Sequence, residues 1–201
     1  AVTLDELMVN TRWMNTAYAE NYNFSRAPNI PTVNAVQGDN RVTLFWDDWA
    51  ESSDDPITGM DFEGYRVYRS TDAGWGDMPL ITDGHGSYAY RKPIAQCDLA
   101  NGINGFASVG VKGVQFYLGE DTGLRHSWTD TTAVNGQRYY YAVTAYDHGD
   151  AEKKIPPTEC TRFVSIGQDG QVQEKGSNVV VVRPEAPSAG FVPSRADVPH
   201  L

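Results

Sequence analysis

Five carboxylates crowd ten residues of the stretch Trp46-Asp-Asp-Trp-Ala-Glu-Ser-Ser-Asp-Asp55: Asp47, Asp48, Glu51, Asp54 and Asp55. Asp61 and Glu63 follow closely. Calcium takes six to eight oxygen ligands in flexible geometry, so a loop this rich in oxygen could hold it. Calcium is the one cofactor these residues suggest. The spacing does not follow the D-x-[DN]-x-[DN]-G order of an EF-hand loop. The plainer reading is a solvated acidic loop. A second acidic group, Asp147, Asp150 and Glu152, follows the stretch RYYYAVTAYDHG at 138–149.

Other chemistry is harder to assemble. His85, His126, His148 and His200 are scattered, and none stands beside a plausible nucleophile. Gly84-His85-Gly86-Ser87 brings a His near a Ser, but proximity along a loop does not make a triad. No phosphate-cradling glycine loop and no H-E-x-x-H occurs. No catalytic residue is therefore nominated, and a non-enzymatic role is expected. Trp49, Trp75 and Trp128 could stack on sugar rings if exposed, which makes glycans a possible partner. Tryptophan more often packs in a core or at an edge.

Cys97 and Cys160 form no C-x-x-C unit and have no histidine at metal-ligand spacing. The expectation is a Cys97–Cys160 disulfide in an exported protein. The alternative is two unpaired thiols.

The elements that must position these residues read as short strands and turns. The chain has 201 residues, 40% hydrophobic content, 19 Gly and 11 Pro. That composition suits one core with many turns. A net charge of −10 argues against a nucleic-acid partner, whose phosphates need a basic surface. No apolar run approaches the ~20 residues of a membrane helix. The chain opens on Ala1 with no secretion signal in residues 1–30, and reads as a processed chain or a piece of a longer one.

One helix is expected over 3–22. Thr3 and Glu6 form a T-x-x-E capping box, and Leu4, Leu7, Met8, Met14, Tyr18 and Tyr22 recur near one face. Such a stripe would pack on a neighbouring domain or subunit. Strands are expected at 32–37, 41–46, 62–69, 125–132, 138–146, 160–166 and 177–183. Residues 71–124 are long and glycine-rich, with β-like pieces at 86–91 and 113–118, and read as an insertion. Residues 184–201 read as an extended linker. Within 138–146, Tyr139, Tyr141, Val143 and Ala145 share one face and Tyr140, Ala142, Thr144 and Tyr146 the other. Tyr139 stands just past the Asn135-Gly136 turn, placed to return its hydroxyl to the preceding connection. Short strands without strand–helix alternation point to a mainly β, antiparallel sandwich.

The order Pro28-x-x-Pro31, VTLFW at 42–46, GYRVYRS at 64–70 and TDTTAVNGQRYYYAVTAYDHG at 129–149 resembles a fibronectin type III domain. More narrowly, it is similar to such modules in large bacterial cell-surface and secreted proteins. The resemblance covers about 28–70 and 125–183. It implies a sandwich over 28–183 with an insertion at about 71–124, an N-terminal arm over 1–27 and a linker over 184–201. It makes Trp46 the core tryptophan of the second strand, Tyr65 or Tyr68 a residue of the third, and Tyr139 the corner tyrosine of the sixth, with Val143 and Ala145 beside it. The implied function is structural or adhesive, at the cell surface or outside the cell, with neighbouring domains or subunits as partners. The runner-up is a carbohydrate-binding accessory domain. Three departures stand out: the length of 71–124, Ala133 where the pattern places leucine, and two candidates, 160–166 and 177–183, for the last strand.

Overall fold

The computed structural model describes residues 24–83, 85–111, 113–188 and 190, together with Thr3, Leu4, Leu7, Met8, Thr11 and Met14. The expected helix over 3–22 lies largely outside these, as does most of the linker over 184–201. Leu4, Leu7, Met8 and Met14 are exposed. Among the described residues no helix is long and apolar enough to cross a membrane.

The chain is mainly β and its sheets are antiparallel. In order, the strands are β1 (Val33–Gly38), β2 (Arg41–Trp46), β3 (Phe62–Ser70), β4 (Leu80–Thr82), β5 (Tyr88–Arg91), β6 (Ala95–Asp98), β7 (Gly105–Val111), β8 (Val114–Gly119), β9 (Ser127–Asp130), β10 (Tyr139–Asp147), β11 (Val164–Ile166), β12 (Val172–Lys175) and β13 (Val179–Val182). A three-stranded sheet runs β1-β2-β9 and a four-stranded sheet runs β13-β10-β3-β6. Three further hairpins, β4-β5, β7-β8 and β11-β12, stand apart from both.

Alternation explains the first sheet. In RVTLFW the side chains of Val42, Leu44 and Trp46 turn inward and are buried, while Arg41 and Phe45 are exposed. They meet Tyr65 and Val67 of β3 and Tyr139, Tyr141, Val143 and Ala145 of β10 in one core. Trp46, Tyr65, Tyr139 and Val143, the residues expected at the centre, are all buried there. Tyr65 lies against Trp46 at 5.7 Å and Phe62 at 5.1 Å between ring centroids.

The second sheet breaks the one-face pattern. Every residue of β10 is buried. Tyr140 and Ala142 join Tyr68, Trp75, Met78 and Val179 in a second core. Tyr146 joins Ala107, Phe116 and Leu118 in a third. The segment 71–124 thus folds over the outer face of β3 and β10. It also supplies β6, which pairs with β3 and extends the four-stranded sheet. A strand buried on both faces reads as a nearly continuous apolar run, which is what YYYAVTAYD is.

Both candidates for the last strand use one edge of β10. Val179–Val182 pairs with Tyr139–Ala142. Farther along the same edge, Cys160 N–H donates to Ala145 C=O at 2.9 Å and Asp147 N–H to Thr158 C=O at 3.1 Å. The regular strand there is β13; the Val164–Ile166 strand pairs with β12 instead.

Candidate functional site

The five carboxylates of the acidic loop do not converge. Asp47 Oδ1 accepts Thr32 N–H at 3.1 Å, and Glu51 Oε1 accepts the Tyr65 hydroxyl at 3.1 Å and faces His126 Nε2 at 2.6 Å. Asp55 accepts the N–H groups of Ile57 and Thr58 at 2.7 and 2.9 Å and that of Arg26. Burial pushes the Asp55 carboxyl up, but these donors outweigh it and hold it below the usual range. Asp48 and Asp54 are exposed. Each engaged carboxylate is thus committed to partners of its own. Among the described residues no group of three or more His, Cys, Asp or Glu is placed to hold a metal ion.

The cysteines are both free and buried, so the expected disulfide is corrected. The reason is register. Cys97 pairs with Tyr65, Tyr65 with Ala145, and Ala145 with Cys160 through its N–H···Sγ contact at 3.2 Å. Two strands separate the thiols, and three strand spacings amount to roughly 14 Å. A disulfide spans Cα atoms roughly 4.4–6.8 Å apart. Burial pushes the Cys160 thiol up to about 12. The support that a disulfide lent to an extracellular location falls away with it.

The histidines are likewise dispersed. His85 sits in an exposed loop where Asp83 Oδ1 accepts its N–H at 2.9 Å, and His148 Nδ1 lies 2.7 Å from Gly149 C=O. His200 lies outside the described residues. The three tryptophans share no surface. Trp49 is exposed on a 3-10 turn, Trp128 is half-buried against the main core, and Trp75 is buried in the second core.

A concavity lined by aromatic and charged side chains lies over the outer face of the four-stranded sheet. It is a cleft of about 370 Å³ between the 71–124 segment and residues 157–162. Its walls are aromatic: Tyr68 from β3, Trp75 from the following turn, Tyr88 and Tyr90 from β5, and Phe116 from β8. Arg91, Glu159 and Arg162 complete it. The Arg162 guanidinium lies 4.1 Å from the Tyr68 ring centroid and 5.5 Å from that of Trp75. Beneath, Arg66 stacks on Phe116 at 3.7 Å and on Tyr146 at 5.0 Å. These are cation–π distances.

Glu159 holds this group together. It accepts the Tyr68 hydroxyl at 3.0 Å and the Thr144 hydroxyl at 2.6 Å, and pairs with Arg66 at 3.4 Å and Arg162 at 3.6 Å. Burial, then the Glu159 charge, push the Tyr68 hydroxyl well above its usual range, so it stays a donor. Four donors of this group remain unmatched, Tyr90 Oη and Arg66 Nε among them. Trp75 Nε1 and Arg162 Nε are shut from solvent and have no hydrogen-bond partner. An unpaired buried donor costs about 1–3 kcal/mol. Trp75 also sits at φ +61°, an outlier for a bulky side chain.

Of these cleft residues, sequence reasoning singled out only Trp75 as a ligand contact. Arg162, Arg91 and Glu159 come from separate segments and form no local motif. The available signal was the arginine content of two stretches, Tyr90-Arg91 and Glu159-Cys-Thr-Arg162, in a strongly acidic chain.

Comparison with protein families and with curated proteins finds no match. Among solved structures the chain is similar to a β-1,2-glucanase from Parabacteroides distasonis, at 15% identity and a TM-score of 0.35. The similarity covers 83% of this chain and 14% of that one.

Proposed function

We propose that this chain is a non-catalytic, fibronectin type III-like sandwich module of a large bacterial cell-surface or secreted protein, making structural or adhesive contacts with neighbouring domains or subunits. The observation that carries the reading is strand order. Three strands, β1-β2-β9, share a core with four, β13-β10-β3-β6, and β3 and β10 are central in the larger sheet. Such an arrangement resembles that of immunoglobulin-like sandwiches and so supports the reading. The Tyr139 hydroxyl, which accepts Val134 N–H at 3.1 Å beside the Asn135-Gly136 turn, supports it as a tyrosine corner. The fold then serves as a rigid frame, and function lies in what its surfaces meet.

Surface proteolysis tests the assignment. Protease applied to intact cells making the full-length protein should remove this chain, with a cytosolic marker untouched. Protection in intact cells, with digestion only after lysis, would overturn the surface location.

A second reading, a carbohydrate-binding accessory domain, is favoured by the cleft. Its walls combine aromatic rings with polar donors, the pairing that sugar recognition requires. Glycan-array binding by the purified chain tests this reading independently of location.

A further inference from the structure

The cleft over the four-stranded sheet carries the opposite charge to the rest of the chain. Against a net charge of −10, three guanidinium groups gather here: Arg91 and Arg162 in the walls and Arg66 beneath. Glu159 is the carboxylate that lines the cleft, and it is shared between Arg66 and Arg162 at 3.4 and 3.6 Å. Both distances exceed the roughly 2.7–2.9 Å of a well-formed charge-assisted bond. Arg91 is held by a main-chain contact to Met78 C=O at 3.4 Å. Positive charge is therefore left over inside the cleft. Trp75 Nε1 and Arg162 Nε lack acceptors, and Trp75 is held in a left-handed backbone conformation. Backbone strain of this kind collects at ligand-binding positions.

We propose that this cleft binds a carboxylate-bearing sugar, a hexuronic acid unit of an acidic glycan. The inference rests on the carbohydrate-binding reading and specifies its ligand. The planar guanidinium groups of Arg162 and Arg91 receive the carboxylate, whose two oxygens match their paired donors. The Tyr88 and Tyr90 rings, the part of the aromatic wall open to solvent, take the apolar face of the sugar ring. A neutral sugar leaves the guanidinium charge unmatched. The volume, about 370 Å³, lies within the roughly 300–1,000 Å³ of small-ligand sites.

Calorimetric titration of the whole chain tests this with four probes: an oligogalacturonate, its methyl ester, a neutral gluco-oligosaccharide and phenylacetate. The oligogalacturonate should bind at least tenfold more tightly than each of the others, and more weakly as salt is raised. Arg91→Gln and Tyr88→Ala, at partly exposed positions, should each lower that affinity tenfold or more with an unchanged melting temperature. Arg162→Gln should do the same; because this side chain is packed in the fold, its result counts only if its melt is native-like. Equal binding of the acid and its methyl ester would overturn the acidic-sugar inference and leave the carbohydrate reading standing. Binding of no sugar would overturn both. Phenylacetate binding as tightly as the uronate would overturn the ligand class, and full affinity in Arg91→Gln and Tyr88→Ala would overturn the location.

Discussion

Tyr139 accepts a main-chain hydrogen bond while its ring is buried between the sheets. Tyr139→Phe removes that acceptor from Val134 N–H, on a residue exposed enough for water to replace it. The expected cost is about 1 kcal/mol, the lower part of the range for a lost hydrogen bond. Tyr140 is equally buried, yet its hydroxyl has no protein partner among the described residues, so Tyr140→Phe should be nearly neutral. Denaturant melts of the two variants check the difference; equal losses would mean that the Tyr139 hydroxyl adds nothing beyond the burial of its ring. Asp130 is a heavier case. It accepts the Tyr141 hydroxyl and an Arg69 guanidinium N–H at 2.7 Å each, and Thr132 N–H at 2.8 Å. Burial raises its carboxyl, but those donors outweigh it and hold the pKa low. Asp130→Ala strands a buried hydroxyl and a half-buried guanidinium. It should cost about 3 kcal/mol, the lower end for breaking a buried pair. For the cysteines, thiol titration should find two groups in unfolded, unreduced protein and slow reaction in the native state. Fewer than two would contradict the register that separates them.

At the scale of elements, legibility followed burial geometry. RVTLFW at 41–46 alternates cleanly because the outer face of its sheet is open, and β2 occupies those residues. YYYAVTAYD was legible as a strand, but not as one covered on both sides. Its outward set is apolar enough to be buried and polar enough to pass for surface. Ala95-Gln-Cys-Asp98 gave no periodic signal in four residues, so the strand completing the larger sheet was read as part of an insertion. The cleft was illegible for a related reason: its charged groups come from β5 and from the approach to β11, and only the topology joins them. Gly64 offers a test of the least legible pairing. A Cβ at this position would land on the Cys97 carbonyl oxygen and within 2.9 Å of Asp98 Cα. Neither backbone atom can swing aside as a side chain does. Gly64→Ala should therefore separate β6 from β3, with a loss of about 2 kcal/mol or more, in the range for overpacking. Hydrogen exchange should show faster amides in Ala95–Asp98 with β13 unaffected. Unchanged exchange at β6 would mean that the two strands do not approach so closely.

For the whole molecule, buried acids set the response to pH, Glu63 and Asp147 most strongly. Burial pushes the Glu63 and Asp147 carboxyls up to about 7, from ordinary values of 4.5 and 3.8. Between those limits the folded chain keeps protons that the unfolded chain releases. Stability therefore falls as pH rises from about 4 to 7, then levels off. The melting temperature should be higher at pH 5 than at pH 8. Glu63→Gln should flatten that slope, each fully shifted group contributing at most about 1.4 kcal/mol per pH unit. A melt that rises from pH 5 to pH 8 would contradict the sign. The layout of the first and last strands has a mechanical consequence. Val33 N–H donates to Ser177 C=O at 3.0 Å, and Arg183 N–H to Gln37 Oε1 at 3.3 Å. β1 and β13 thus run side by side in the same direction. The chain joins β1 at one end of this pair and leaves β13 at the other. Tension carried along the polypeptide pulls the two strands lengthwise past each other, so their contacts are loaded together and not peeled one by one. In force spectroscopy the chain should hold as a unit and yield in a single step, with residues 33–38 and 177–183 acting as its clasp.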